Sequence, residues 1–150
     1  HWDEVPPEVA ETIGEIVRDT TLRIDSTNIT IIGASIGANV GIMVTQLLPG
    51  VRRVVMLSPG RNYRGLDPEE AIKNYDGEML IQVRRRDIPS RKASIYFDSL
   101  RDDDITLKIY PERGHGTRVF DYDDEAMQDL LKWLFEEGEA RGMEDETERR

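Results

Sequence analysis

The chain has 150 residues, 38% of them apolar, and a formal net charge of −10, a size and composition suited to one domain with its own core. It has no cysteine, which excludes a disulfide, a thiolate metal site and a cysteine nucleophile and is compatible with a cytoplasmic location. The acidic balance argues against nucleic acid, whose phosphates call for lysine and arginine, and against anionic membranes; no apolar run approaches the ~20 residues of a membrane span.

In chain order, Pro6 to about Leu22 reads as a helix, because Val9, Ile13, Ile16 and Val17 share one face while Glu8, Glu11, Glu15 and Arg18 cover much of the rest. Asn28 to Ile32 is a β-rich run that ends in a glycine-punctuated turn, Gly33 to Gly37. A second helix runs to about Leu48 and stops at Pro49-Gly50. Val51 to Leu57 is a strand broken by Ser58-Pro59-Gly60. Asp67-Pro68-Glu69-Glu70 starts a helix, with Asp67 as cap, Pro68 at the first helical position and Glu70 as capping-box partner. Met79 to Val83 is a third strand, and Arg91 to about Leu100 a weakly patterned helix. Ile105, Leu107 and Ile109 alternate with Thr106, Lys108 and Tyr110, a strand with one polar face. Met127, Leu130, Leu131, Leu134 and Phe135 mark a last helix.

This alternation predicts right-handed crossovers and an α/β three-layer sandwich, with a four-stranded parallel sheet and helices on both faces. Residues 1–137 form the domain; 138–150 are expected to be a charged, disordered tail. The acidic run Asp121 to Asp124 reads as a solvated face.

Gly33-Ala34-Ser35-Ile36-Gly37 follows a buried-type strand and opens a helix. A sharp strand-to-helix turn needs residues without bulk, which Gly33 and Gly37 supply. It holds Ser35 in a strained conformation above the sheet's C-terminal edge. The N–H of Ile36, at the helix N-terminus, is placed to donate to a developing oxyanion. The plainer alternative is a glycine-rich turn with a capping serine. A serine hydroxyl needs a base, and the chain has two histidines. His1 is terminal; His115 lies between Gly114 and Gly116 just past the last strand, at the sheet end where open α/β sheets place their sites. A carboxylate must then hold the imidazole. Asp87 follows the third strand at the same end, whereas Asp102, Asp103 and Asp104 precede the next strand, and Asp121, Asp123 and Asp124 look like helix caps. The competing fate for Asp87 is an ion pair with Arg84, Arg85 or Arg86. No metal or cofactor is expected.

Ile31-Ile32-Gly33-Ala34-Ser35-Ile36-Gly37-Ala38-Asn39, Val54-Val55-Met56-Leu57-Ser58-Pro59-Gly60, the strand leading to Asp87, and Tyr110-Pro111 followed by Gly114-His115-Gly116 together resemble the α/β-hydrolase family, in particular its dienelactone-hydrolase-like branch. The resemblance covers roughly Val5 to Glu137. It implies Ser35 as nucleophile, His115 as base, Asp87 as acid and Ile36 as one oxyanion donor, hydrolysing an ester, thioester or lactone of a small acyl substrate through an acyl-enzyme. Two departures stand out. The chain supplies only the C-terminal half of the family's sheet, without the loop that gives the second oxyanion donor; losing one such donor costs about 10²–10³ in rate. Arg84-Arg85-Arg86 also stands where small or acidic residues are expected, and so competes for Asp87 or recruits an anionic substrate.

The truncation leaves strand 28–32 as an unpaired apolar edge, a template for another chain. The expected partner there is the missing N-terminal half or a second copy. The rival to a serine hydrolase is therefore a non-catalytic, hydrolase-like interaction domain associating through strand 28–32. A third reading is an anion-binding module built from the arginine run and the helix N-terminus at Ile36.

Overall fold

The four apolar runs form four parallel strands in a computed structural model of the chain, which describes residues 1–137; the tail expected at 138–150 lies outside the described residues. The elements are α1 (Val5–Arg18), β1 (Ile29–Ala34), α2 (Ile36–Val44), β2 (Val51–Leu57), α3 (Glu69–Asn74), β3 (Glu78–Arg84), α4 (Ile88–Asp98), β4 (Ile105–Tyr110) and α5 (Glu125–Leu131). Short 3-10 turns cover Trp2–Glu4 and Gly116–Phe120, and α5 continues as a π-helical segment, Lys132–Glu137. The strands lie in the order β1-β2-β3-β4, all neighbours parallel, with Ile31 beside Val54, Val54 beside Met79, and Met79 beside Ile105. This is the α/β sandwich that the alternation predicts.

Side-chain alternation along each strand builds two cores. Val54, Met56, Met79 and Ile81 face α2, α3 and α4, and pack with Ile42, Ile72, Ala93 and Phe97. Val55, Leu57 and Leu80 face the other way, onto Val119 and, in and after α5, Ala126, Leu130 and Trp133. The amphipathic α1 packs on α2, its Ala10 clustering with Val40 and Val44. β1 is an edge of this sheet, as expected. Ile32 shares the face that carries α5 but remains 49% exposed. No helix among the described residues is long and apolar enough to cross a membrane.

Several boundaries differ from the expected ones, each for a local reason. α1 stops at Arg18 rather than Leu22, because Asp19 Oδ1 accepts the Thr21 N–H and hydroxyl at 2.9 and 2.6 Å and so offers the backbone a turn in place of the next helical bond. Asp67 Oδ1 accepts the Glu69 N–H at 3.0 Å, but α3 begins at Glu69 with Pro68, not Asp67, at its N-cap, and Glu70 turns down the helix to accept from Asn74 Nδ2 at 3.3 Å, so no reciprocal box forms. α4 begins at Ile88, three residues before Arg91, with Pro89 in its first turn and Asp87 at its N-cap.

Candidate active site

Three strand ends meet at one edge of the sheet. Ser35 follows β1 with φ 56° and ψ −124°, a conformation that L side chains adopt only under constraint. Two features hold it there. Its N–H donates to Leu57 O at 2.8 Å, tying the turn to the end of β2. Gly33 lies so close to the start of α2 that an added Cβ would stand 2.2 Å from Gly37 O. A Cβ on Gly37 would meet nothing within 4 Å, so the space argument applies to Gly33 and not to Gly37. The N–H of Ile36 is the first of α2, a position without an intrahelical acceptor.

His115 is carried by the segment between β4 and the 3-10 turn. Gly114, at φ 145°, passes so near that turn that an added Cβ would be 2.3 Å from Arg118 O. The segment delivers His115 Nε2 to 2.7 Å from Ser35 Oγ. On the other side of the ring, Nδ1 is 2.7 Å from Asp87 Oδ2. With the proton on Nδ1, the ring donates to Asp87 and its Nε2 accepts the serine hydroxyl. The His115 side chain is 47% exposed and that of Asp87 only 11%, so the acid is sheltered while the base faces open space.

The structure thus brings Ser35, His115 and Asp87 together, with the Ile36 N–H beside the serine in sequence. The rival acids lie elsewhere: Asp104 O accepts from Met79 N at the opposite end of β3, and Asp123 Oδ1 accepts the Glu125 N–H at the start of α5. The arginine run does not act as one group. Arg84 is fully buried and pairs with Asp123 at 3.4 Å, Arg86 pairs with Glu112 at 3.6 Å, and Arg85 is exposed. Among the described residues these arginines form no ion pair with Asp87, and within the exposed run 121–124 Asp123 is partly exposed while bonded to Arg84. The Arg84 guanidinium holds its carboxyl below the ordinary carboxylate value.

Three further residues line the triad that sequence reading passes over. Ser58, buried at φ 52° past β2, accepts the Gly116 N–H on its Oγ at 2.9 Å. Ser90 donates to Ser58 O at 3.3 Å and lies 3.5 Å from His115 Nδ1. Tyr63 meets the His115 ring edge-on, with centroids 6.5 Å apart. Ser58 sits at a strand's C-terminal end like Ser35, a signal that its apparent role as a strand breaker conceals. Among the described residues no three His, Asp or Glu side chains are grouped to hold a metal ion. A concavity of about 1000 Å³ lies at the opposite end of the sheet around Arg18, Gly50 and Gly77 and contains none of these groups.

No protein-family model matches the sequence, and no curated protein matches it. Solved structures do match in fold. They include a CIB-like hydrolase from Thermoplasma acidophilum (19% identity, TM-score 0.67, covering 86% of this chain and 59% of that one). Esterase B from Lactobacillus Rhamnosis aligns at 12% identity and TM-score 0.72, covering 96% of this chain and 63% of its own. Acetyl xylan esterase 1 from Thermoanaerobacterium sp. aligns at 15% identity and TM-score 0.64, covering 84% of this chain and 50% of its own. The chain thus spans between half and two thirds of the length of these three proteins. What it shares with them is the parallel α/β sandwich of the α/β hydrolases.

Proposed function

We propose that the chain is a serine hydrolase, or the portion of one that carries nucleophile, base and acid. The observation that carries this reading is the continuous chain Ser35 Oγ, His115, Asp87, joined by two contacts of 2.7 Å. As Ser35 Oγ attacks an acyl carbonyl, His115 Nε2 takes its proton. Asp87 holds the Nδ1–H and stabilises the imidazolium that forms. The carbonyl oxygen becomes an oxyanion to which the Ile36 N–H donates. His115 then returns the proton to the departing alkoxide or thiolate, leaving an acyl-enzyme. Water activated by the same imidazole releases the acid.

The substrate proposed is a small ester, thioester or lactone. The names of two fold neighbours, both esterases, support that class, and the motif resemblance favours the dienelactone-hydrolase-like branch. Ile36 supplies one oxyanion donor. The family resemblance implies a second donor from a loop that the strands of this chain do not supply. A fluorophosphonate probe is expected to label the folded protein on Ser35, and Ser35→Ala to abolish labelling. A folded sample that does not label, even alongside a full-length homologue that does, sinks the reading.

One observation favours a second reading. β1 is an edge strand and Ile32 is half-exposed, which suits a non-catalytic domain that associates through strand 28–32 with a missing N-terminal half or a second copy. Sedimentation that finds a monomer at all concentrations rules out the second copy.

A further inference from the structure

The geometry points to Arg84 as a positioning residue for the His115–Asp87 pair, an inference that rests on the hydrolase reading of that site. Arg84 is the last residue of β3, and its side chain is fully buried on the face that carries α5. Its Nε donates to Val119 O at 2.9 Å and its Nη1 to Pro111 O at 2.9 Å. These two carbonyls stand on either side of His115, four residues before it and four after. The same guanidinium reaches both carboxylate oxygens of Asp123 at 3.4 Å, and its Cζ stands over the rings of Tyr110 and Tyr122, 5.3 and 5.6 Å from their centroids. One planar fork therefore closes the base of the histidine loop. The backbone of Arg84 serves the other partner: its carbonyl accepts the Asp87 N–H at 3.1 Å, and the next two amides donate to Tyr110 O and Glu112 O at 2.7 and 3.0 Å. Base and acid are thus referenced to the same residue, from its side chain and its main chain respectively.

A net gain in stability is a weak reason for burying this charge. Burying the Arg84 guanidinium carries a desolvation penalty that its contact with the partly exposed Asp123 offsets only in part. What the fork does is hold two loop carbonyls with one rigid group, which neither an apolar side chain nor the single ammonium of lysine reproduces.

The test compares the wild-type chain with Arg84→Met, Arg84→Lys and Asp123→Asn, each checked for fold by circular dichroism. NMR shifts of the His115 ring nitrogens report which of them carries the proton, and the rate of fluorophosphonate labelling reports the reach of Nε2 to Ser35. Wild type is expected to hold the proton on Nδ1. Arg84→Met is expected to move the ring toward the Nε2–H tautomer and to slow labelling by about 100-fold, the scale of a misplacement near 1 Å. Arg84→Lys recovers part of both signals, and Asp123→Asn, which leaves the loop carbonyls bonded, changes them only a few-fold. A folded Arg84→Met with wild-type tautomer and rate overturns the inference; where that variant does not fold, a folded Arg84→Lys with wild-type values overturns it instead. The tautomer is read without turnover, so a wild-type chain that holds the Nδ1 proton yet never labels counts against the hydrolase reading and not against Arg84.

Discussion

Gly33 and Asp87 show how different a structural and a chemical requirement look at the scale of one residue. The space at Gly33 is closed by backbone atoms, with Gly37 O 2.2 Å and Ala38 N 2.8 Å from an added Cβ. Backbone cannot rotate aside as a flexible side chain can, so Gly33→Ala is expected to lower unfolding stability by about 3 kcal/mol or more in urea titrations. Gly37→Ala, facing open space inside α2, is expected to be neutral or to gain up to about 1 kcal/mol; equal effects at both positions would contradict this account of the turn. Asp87→Asn keeps shape and fold but leaves His115 Nδ1 facing an amide able to donate back. Labelling of Ser35 is then expected to slow by about 10³–10⁴-fold with unchanged circular dichroism. Ser35, Asp87 and His115 were legible from the sequence because each is a reactive type placed just past a strand. Arg84 and Ser58 were not. An arginine at a strand end reads as solvated, and nothing in the sequence says that residues 111–123 fold over it.

Among the elements, the strands are the most legible part, since a buried parallel strand leaves a dense apolar run. Helix ends are less so, because they depend on single hydrogen bonds: the Asp19 side chain ends α1, and Pro89 lets α4 begin directly after Asp87. The contact that sets the loop after β2 was also hidden. Asn39, fully buried in α2, donates from Nδ2 to Gly60 O and Leu66 O at 2.8 and 2.9 Å, and its Oδ1 accepts the Gly60 N–H at 3.2 Å. One amide thus satisfies three backbone groups and pins the loop that carries Tyr63 toward His115. Asn39→Ala would leave those groups buried without partners, at about 1–3 kcal/mol for each fully orphaned group. The expected net loss is about 3 kcal/mol in chemical denaturation, together with faster hydrogen exchange at Gly60. Loss of stability without a change at Gly60 would mean that the amide matters to α2 rather than to the loop.

For the whole molecule, the two cores on either face of the sheet each contain one buried phenol, and these set its limit in alkali. Tyr75 belongs to the cluster under α2, α3 and α4, and its hydroxyl donates to Val51 O at 2.9 Å. Tyr110 belongs to the opposite cluster, donating to Asp129 Oδ2 and accepting from Gln82 Nε2, both at 2.8 Å. Burial pushes both phenols well above their ordinary value, because ionisation would place a charge in an apolar layer and remove a donor. Below about pH 10 the phenols are neutral in both folded and unfolded chains and leave stability unaffected. Above it the unfolded chain releases protons that the folded chain retains, so stability falls as pH rises. On the acid side the sign is reversed: Asp123, lowered by its bonds to Arg84, and Asp19 and Asp25, lowered by bonds from Thr21 and Thr27, add stability above the ordinary carboxylate range that is lost as pH falls through their folded values. In an alkaline titration, the tyrosinate absorbance of Tyr75 and Tyr110 is expected to emerge together with the loss of far-ultraviolet circular dichroism. Tyr75→Phe removes one of the two retained protons, so its unfolding is expected to depend less steeply on alkaline pH, even though loss of the bond to Val51 weakens the protein near neutrality. If the variant and the wild type show the same alkaline slope, or if both phenols ionise while the dichroism is intact, burial of these two side chains does not govern the alkaline limit.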